Sequence, residues 1–257
     1  MKDILRQTAV IITILITLIV NGLANALPLN GLNTGQISDR FQVYFVPAGY
    51  VFAIWGLIYL GLIAFAVFQA LPAQRQNPRL QAVGWWISLG GLANSAWIFL
   101  WHYQQFPMTV VVMLVLLATL IITYLGLGIG RSAVPGAESW AVRLPFSIYL
   151  GWITVATVAN MTDLLDYWKW DGFGIAPEIW MGIMLFAVLL ITALVNFTRR
   201  DVAFTLVILW ALAGISVKQA AVASVVTPTW ITFALVALIS LAGYVLPGTR
   251  KNLNSAG

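Results

Sequence analysis

Three stretches of the sequence set aromatic rings and amide side chains at helical spacing. In GYVFAIWGLIYLG, Gly49 to Gly61, the residues Phe52, Trp55 and Tyr59 fall at i, i+3 and i+7 and share one helix face. In LANSAWIFLW, Asn94 and Trp97 are three apart, so an amide and an indole lie side by side. In YLGWITVATVAN, Tyr149, Trp152, Ala156 and Asn160 form a third stripe, with Ala156 leaving room between larger groups. Rings and amides recognise more readily than they react. If the three faces converge, they enclose an aromatic slot suited to a flat, hydrophobic molecule. Packing of the same rings into an ordinary core is the competing reading.

Reactive chemistry finds little support. The chain has no cysteine and one histidine, His102, which excludes disulfides, thiolate chemistry and multi-histidine metal or haem sites. No Ser-His-Asp set, phosphate loop or buried carboxylate pair is visible, and His102 falls at a helix end, so a non-enzymatic protein without a required cofactor or metal is expected. Lys218, in GISVKQAA, either snorkels to lipid headgroups or pairs with a ligand carboxylate or with Asp163. A retinal Schiff base is set aside, because it needs an acidic counter-ion at depth and Gly214 stands four residues before Lys218.

The elements that carry these residues must lie in lipid. The 257 residues are 61% hydrophobic and 8% charged, with mean hydropathy +0.93, more apolar surface than a soluble domain can bury. Prolines and short polar clusters cut the chain into apolar runs at 8–27, 48–71, 82–101, 107–129, 140–162, 178–198, 201–222 and 229–246. Pro28, Pro47, Pro72, Pro107, Pro135, Pro177, Pro228 and Pro247 sit at or outside the ends of these runs, and Pro145 lies just inside one. The expected fold is all-α, a polytopic bundle of eight transmembrane helices. Lys2, Arg6 and the Ala24-Asn25-Ala26 triplet have the flavour of a cleaved leader, but the run reaches spanning length and is read as a retained first helix.

Charge orients the bundle. With the amino terminus inside, ten of the 13 Lys and Arg residues fall on the inner side, and Arg40, Lys169 and Lys218 on the outer. This bias puts both termini in the cytoplasm and the protein in a cell membrane as a multi-pass component, with lipid as its constant partner and no role for nucleic acid. Asp39, Asp163, Asp166, Asp171 and Glu178 collect on the outer side, where the segments LNGLNTGQISDRFQVYFV and DLLDYWKWDGFGIAPE are long enough to cover the bundle mouth. Of the twelve tryptophans, Trp85, Trp86, Trp101, Trp140, Trp168, Trp170, Trp180 and Trp230 fall near helix ends and read as interfacial anchors. Trp55, Trp97, Trp152 and Trp210 lie deeper, Trp55 roughly 10 Å inside its helix at ~1.5 Å per residue, where a ring donor needs a partner within the protein.

Together these residues resemble the translocator protein / tryptophan-rich sensory protein (TspO/MBR) family. The second helix of that family opens on a proline-rich turn followed by aromatics, Trp and Tyr, here Pro47, Tyr50, Phe52, Trp55 and Tyr59. Its third carries Asn-x-x-Trp, as Asn94 and Trp97, and its fifth matches Tyr149, Trp152, Ala156 and Asn160. The resemblance covers residues 8–162 and implies a five-helix bundle, often a homodimer, that holds tetrapyrroles, sterols or synthetic aromatic ligands in a pocket between helices. It implies a pocket lined by Trp55, Tyr59, Asn94, Trp97, Trp152 and Ala156 under the first outer loop. The Phe52–Trp55 gap is one residue shorter than the usual pattern, Pro145 is displaced from Tyr149, and three further helices follow.

The sequence thus divides into a five-helix bundle at 8–162, an extracytoplasmic loop at 163–177 and three added helices at 178–246. The expected function is sensing or binding of a planar hydrophobic ligand, a tetrapyrrole such as a porphyrin, by Trp55, Tyr59, Asn94, Trp97, Tyr149, Trp152, Ala156, Asn160 and Lys218. Its rivals are a small secondary transporter using all eight helices, which would carry intramembrane charges or broken helices, and a membrane assembly partner.

Overall fold

A backbone in hydrocarbon must satisfy its own N–H and C=O groups, so each apolar run closes into a helix. The computed structural model describes residues 2–27 and 29–245, and no strand occurs among them. The long helices are α1 (Lys2–Ala26), α3 (Ile54–Ala70), α4 (Pro78–His102), α5 (Phe106–Gly126), α7 (Leu144–Tyr167), α8 (Pro177–Arg199), α9 (Val202–Lys218) and α10 (Ala223–Val245). Two short helices, α2 (Thr34–Ser38) and α6 (Gly136–Glu138), lie in connecting segments. The expectations for Pro28, Leu246, Pro247, Arg250 and Lys251 fall outside the described residues.

Seven helical stretches among the described residues are long and apolar enough to cross a membrane; α9, with 17 residues, is a shorter apolar helix. Several ends differ from the sequence reading for local reasons. Helix α4 starts at Pro78, because the Asn77 side chain accepts the Arg79 N–H and proline fits the first turn. Helix α7 continues to Tyr167, so Asp163 and Asp166 are helical, and it is preceded by one π turn over Ser139–Arg143 where Pro145 lacks the usual N–H. Pro228, expected outside the last helix, lies inside α10, five residues past its first residue, Ala223.

Helix α7 is central, with 67% of its spanning window buried, against 22% for α8 and for α10. Helix α4 packs between α1 and α5, α7 packs on α5 and α3, and α9 lies against the far side of α7. Helix α10 bridges α8 and α9, and the last three helices pack on the first five chiefly through α9 against α7. The polarity is inverted relative to a water-soluble bundle. Leu57, Leu60 and Val67 of α3 face outward, while Thr13, Thr17 and Asn21 of α1 are buried. Thr17 donates to the Gly91 carbonyl at 3.0 Å and Asn21 to the Asn94 amide oxygen at 2.7 Å, tying α1 to α4.

Several arginines that read as a topology signal are also internal struts at one end of the bundle, called here the basic end. Arg79 holds buried Glu138 in a two-pronged pair at 2.6 and 2.8 Å. Arg143 donates to the Leu127 carbonyl at 2.9 Å and to Ser132, and Arg6 to the Arg75 carbonyl at 2.9 Å. The opposite end, which carries the 29–47 segment, is called the lid end.

Candidate functional site

The aromatic stripes of α3 and α7 do converge. Trp55 stacks on Tyr59 with ring centroids 5.6 Å apart and meets Tyr149 and Trp152 edge-on at 5.9 and 6.3 Å. Phe52, just before α3, meets Trp152 at 5.7 Å. Edge-to-face and offset contacts at these distances are the favourable ones for aromatic quadrupoles.

The amides are spent on holding the stripes together. Asn94 receives the Asn21 amide and donates to the Tyr149 hydroxyl at 2.8 Å, joining α1, α4 and α7 through one side chain. The Trp97 indole donates to Asn160 at 3.0 Å, and Asn160 donates to the Thr109 hydroxyl of α5 at 2.9 Å. Every such bond has to be made within the protein, because lipid offers no alternative partner. Asn94→Leu is therefore expected to destabilise the bundle by about 2 kcal/mol, since it removes the Tyr149 hydroxyl's donor and leaves Asn21 only its bond to the Thr17 carbonyl. Unfolding in graded SDS measures this, with Leu92→Ala on the exposed face of the same helix as reference.

Beyond this cluster, toward the lid end, lies a partly open slot of about 40 Å³. Its walls are Phe52, Trp97, Trp101 and Trp152, its narrow side is Ala156 and Ala159, and its cover is Val46 and Pro47 of the lid with Thr34 and Ser38 of α2. Three buried polar atoms at this slot have no hydrogen-bond partner in the protein: the Trp152 indole nitrogen, the Thr34 hydroxyl and one Asp163 carboxylate oxygen. Leaving such a group unmet costs about 1–3 kcal/mol each.

The nine residues singled out by sequence separate into groups. Trp97, Trp152, Ala156 and Asn160 line the slot; Trp55, Tyr59 and Tyr149 form the ring cluster behind it, and Asn94 braces that cluster. Lys218 does not line the slot; its ammonium pairs with Asp39 at 2.9 Å. Trp101, read as an interfacial anchor, is buried; it stacks on Trp97 at 5.1 Å and donates to the Thr34 carbonyl. Sequence reasoning missed it because α4 ends one residue later, which made a slot wall look like a helix-end residue. Asp163 continues the α7 stripe three residues past Asn160, but ending the run at 162 placed it in a loop; Thr34, in the short α2, had no periodic signal, and His102, placed at a helix end, is fully buried with Nδ1 at the Ile98 carbonyl.

The cover is held by α9. Besides the Lys218–Asp39 pair, the Ala48 N–H donates to the Gly214 carbonyl at 3.1 Å, and the Trp210 indole to the Val51 carbonyl at 3.1 Å. Gln219 reaches the Val43 and Tyr44 carbonyls at 3.3 Å. One of the three added helices thus fastens the lid over a slot built by the first five. Among the described residues, no three His, Cys, Asp or Glu side chains gather as metal ligands do.

An all-helical bundle with seven helical stretches, among the described residues, long and apolar enough to cross a membrane defines a class, that of multi-pass integral membrane proteins. The chain belongs to the TSPO-like protein family, whose pattern matches residues 7–245. The match runs past residue 162 and takes in the three added helices. No curated protein and no solved structure matches the chain significantly. Membership carries a membrane sensory or ligand-binding role in general terms.

Proposed function

We propose that the protein binds a planar hydrophobic molecule, of the tetrapyrrole class, in the slot between α4 and α7 beneath the lid, and acts as a sensory or binding protein. The observation that carries this reading is the convergence of three unpartnered polar atoms, on Trp152, Thr34 and Asp163, at one aromatic-walled cavity. An indole N–H, a hydroxyl and a carboxyl can meet the polar edge of a flat ligand while the rings cover its faces. The slot's 40 Å³ is far below the ~300 Å³ or more of a drug-sized site, so a macrocycle is admitted only as the lid lifts and the slot widens. In this reading α9 is the eighth span, the basic end faces the cytoplasm and the lid end faces out, in keeping with the ten-to-three distribution of Lys and Arg.

Saturable quenching of tryptophan fluorescence by protoporphyrin in detergent tests the proposal. Trp152→Phe keeps the ring and removes the donor, and is expected to weaken binding about three- to tenfold. Ala156→Phe fills the slot and is expected to abolish saturable quenching. Quenching that never saturates, or that both variants leave unchanged, overturns the reading.

A further inference from the structure

A second cavity opens at the lid end, about 280 Å³ in volume, where the lid, the end of α7 and the start of α8 meet. The lid separates it from the slot: Gln42, Val43 and Tyr44 face this cavity, while Val46 and Pro47 face the other. It is formed in part by α8 and so belongs to the portion of the fold beyond the first five helices.

Two indoles make its corner. Trp170 and Trp180 have ring centroids 5.1 Å apart at 58°, and the Trp180 N–H is already given to the Gly172 carbonyl at 3.1 Å. The polar atom of that ring is occupied, and its carbon surface remains for a guest. The Tyr44 hydroxyl is likewise tied to Glu178 at 3.1 Å. The charges lining the cavity are negative: Asp166 and Asp171 face it, and no lysine or arginine does. Lys169 approaches Asp166 at 3.9 Å, but its side chain is 82% exposed and its charge is largely screened by water. Each carboxylate also accepts one backbone N–H, Asp166 from Gln42 at 3.4 Å and Asp171 from Phe173 at 2.9 Å, which fixes its position without neutralising it.

Aromatic walls with two carboxylates, one of them paired only with a water-exposed lysine, suit one kind of guest. An anion is repelled, a small hydrated metal ion gains nothing from indole faces, and a neutral apolar molecule leaves the carboxylates idle. An organic cation uses both, through cation–π contact with the rings and charge pairing at the rim. We propose that this cavity is a binding site for an organic ammonium group, distinct from the slot and contributed jointly by the lid, the end of α7, the segment after it and the start of α8. The ammonium comes either from a soluble amine or from a choline headgroup of the surrounding lipid.

Ligand-observed NMR on the full chain in maltoside micelles tests this with phenyltrimethylammonium, against its neutral isostere tert-butylbenzene. The cation is expected to bind at least about fivefold more tightly than the isostere, and Trp170→Ala to weaken it about tenfold. Asp171→Asn keeps the side-chain oxygen that caps Phe173 and is expected to weaken the cation severalfold while leaving the isostere unchanged. Asp166→Asn does the same, and Trp230→Phe, on α10 away from the cavity, changes neither. Displacement of the probe by dihexanoylphosphatidylcholine below its micellar concentration assigns the ammonium to a lipid headgroup; retention of the probe assigns it to a soluble amine. Equal binding of cation and isostere, or indifference of the cation to both asparagine variants, overturns the proposal. Because ammonium binding is read directly, it stands or falls separately from porphyrin quenching.

Discussion

Valine at position 214 is expected to release the lid. Gly214 sits on α9 where the lid crosses it: a Cβ there would overlap the Val51 side chain and stand 3.2 Å from the Pro47 Cβ. Val51 is fully buried and cannot swing away, and the Gly214 carbonyl accepts the Ala48 N–H, so the added methyls push apart the surfaces that this bond joins. Overpacking of this kind costs about 1–3 kcal/mol, and here the simplest relief is to lift residues 47–51 off α9. The porphyrin dissociation rate should then rise about tenfold or more, the kinetic equivalent of roughly 1.4 kcal/mol of lost closure. Stopped-flow recovery of fluorescence measures it. Trypsin cleavage at Arg40, in the same segment, should accelerate in parallel whether or not ligand is present. A lid that stays resistant to cleavage in Gly214→Val would show that α9 does not hold it.

Alanine at position 130 should have the largest effect on the fold. Gly130 lies in the basic-end loop after α5 with φ +71, a left-handed conformation that costs an L side chain ~1 kcal/mol or more. A Cβ there would also fall within the Arg199 backbone carbonyl group, at the last residue of α8. No rotamer change relieves a clash with backbone, so the α5 loop and the α8–α9 corner have to separate. That corner is otherwise well tied: Asp201 caps α9 through the Phe204 N–H at 3.1 Å and accepts the Tyr124 hydroxyl of α5 at 2.8 Å. The expected cost is about 4 kcal/mol, or a fall of about 10 °C in melting temperature. Gly136→Ala is the internal control, since a Cβ at that position meets nothing within 4 Å. Thermal unfolding in detergent compares the two, and equal melting temperatures would refute the junction described here.

The helices were largely legible because lipid makes local sequence decisive. A run such as Thr109 to Thr123 has one outcome in hydrocarbon, whereas the cap at Asn77 starts its helix four residues before the apolar run at 82. The stripes were legible for the same reason, since 3.6-residue periodicity assigns Trp55 to the face of Tyr59, and Trp152 to that of Tyr149. Where a residue sits near a helix end, periodicity weakens. Trp101 and Trp170 both read as interfacial anchors, yet one is a slot wall stacked on Trp97 and the other the corner of a separate cavity.

The sequence by itself determined the membrane class, the helical runs and the faces on which the rings and amides stand, because solvent and spacing act within a single helix. Tertiary structure alone decided which face meets which. Asn94 and Tyr149 lie 55 positions apart, and Lys218 lies 179 from Asp39; no local pattern distinguishes those partners from other amides, phenols and carboxylates. Their pairing follows from the order in which α1, α4, α5, α7 and α9 pack. It is that packing, set by shape and by the need to satisfy each buried polar atom, that turned three aromatic stripes into a slot and a distant helix into the fastening of its lid.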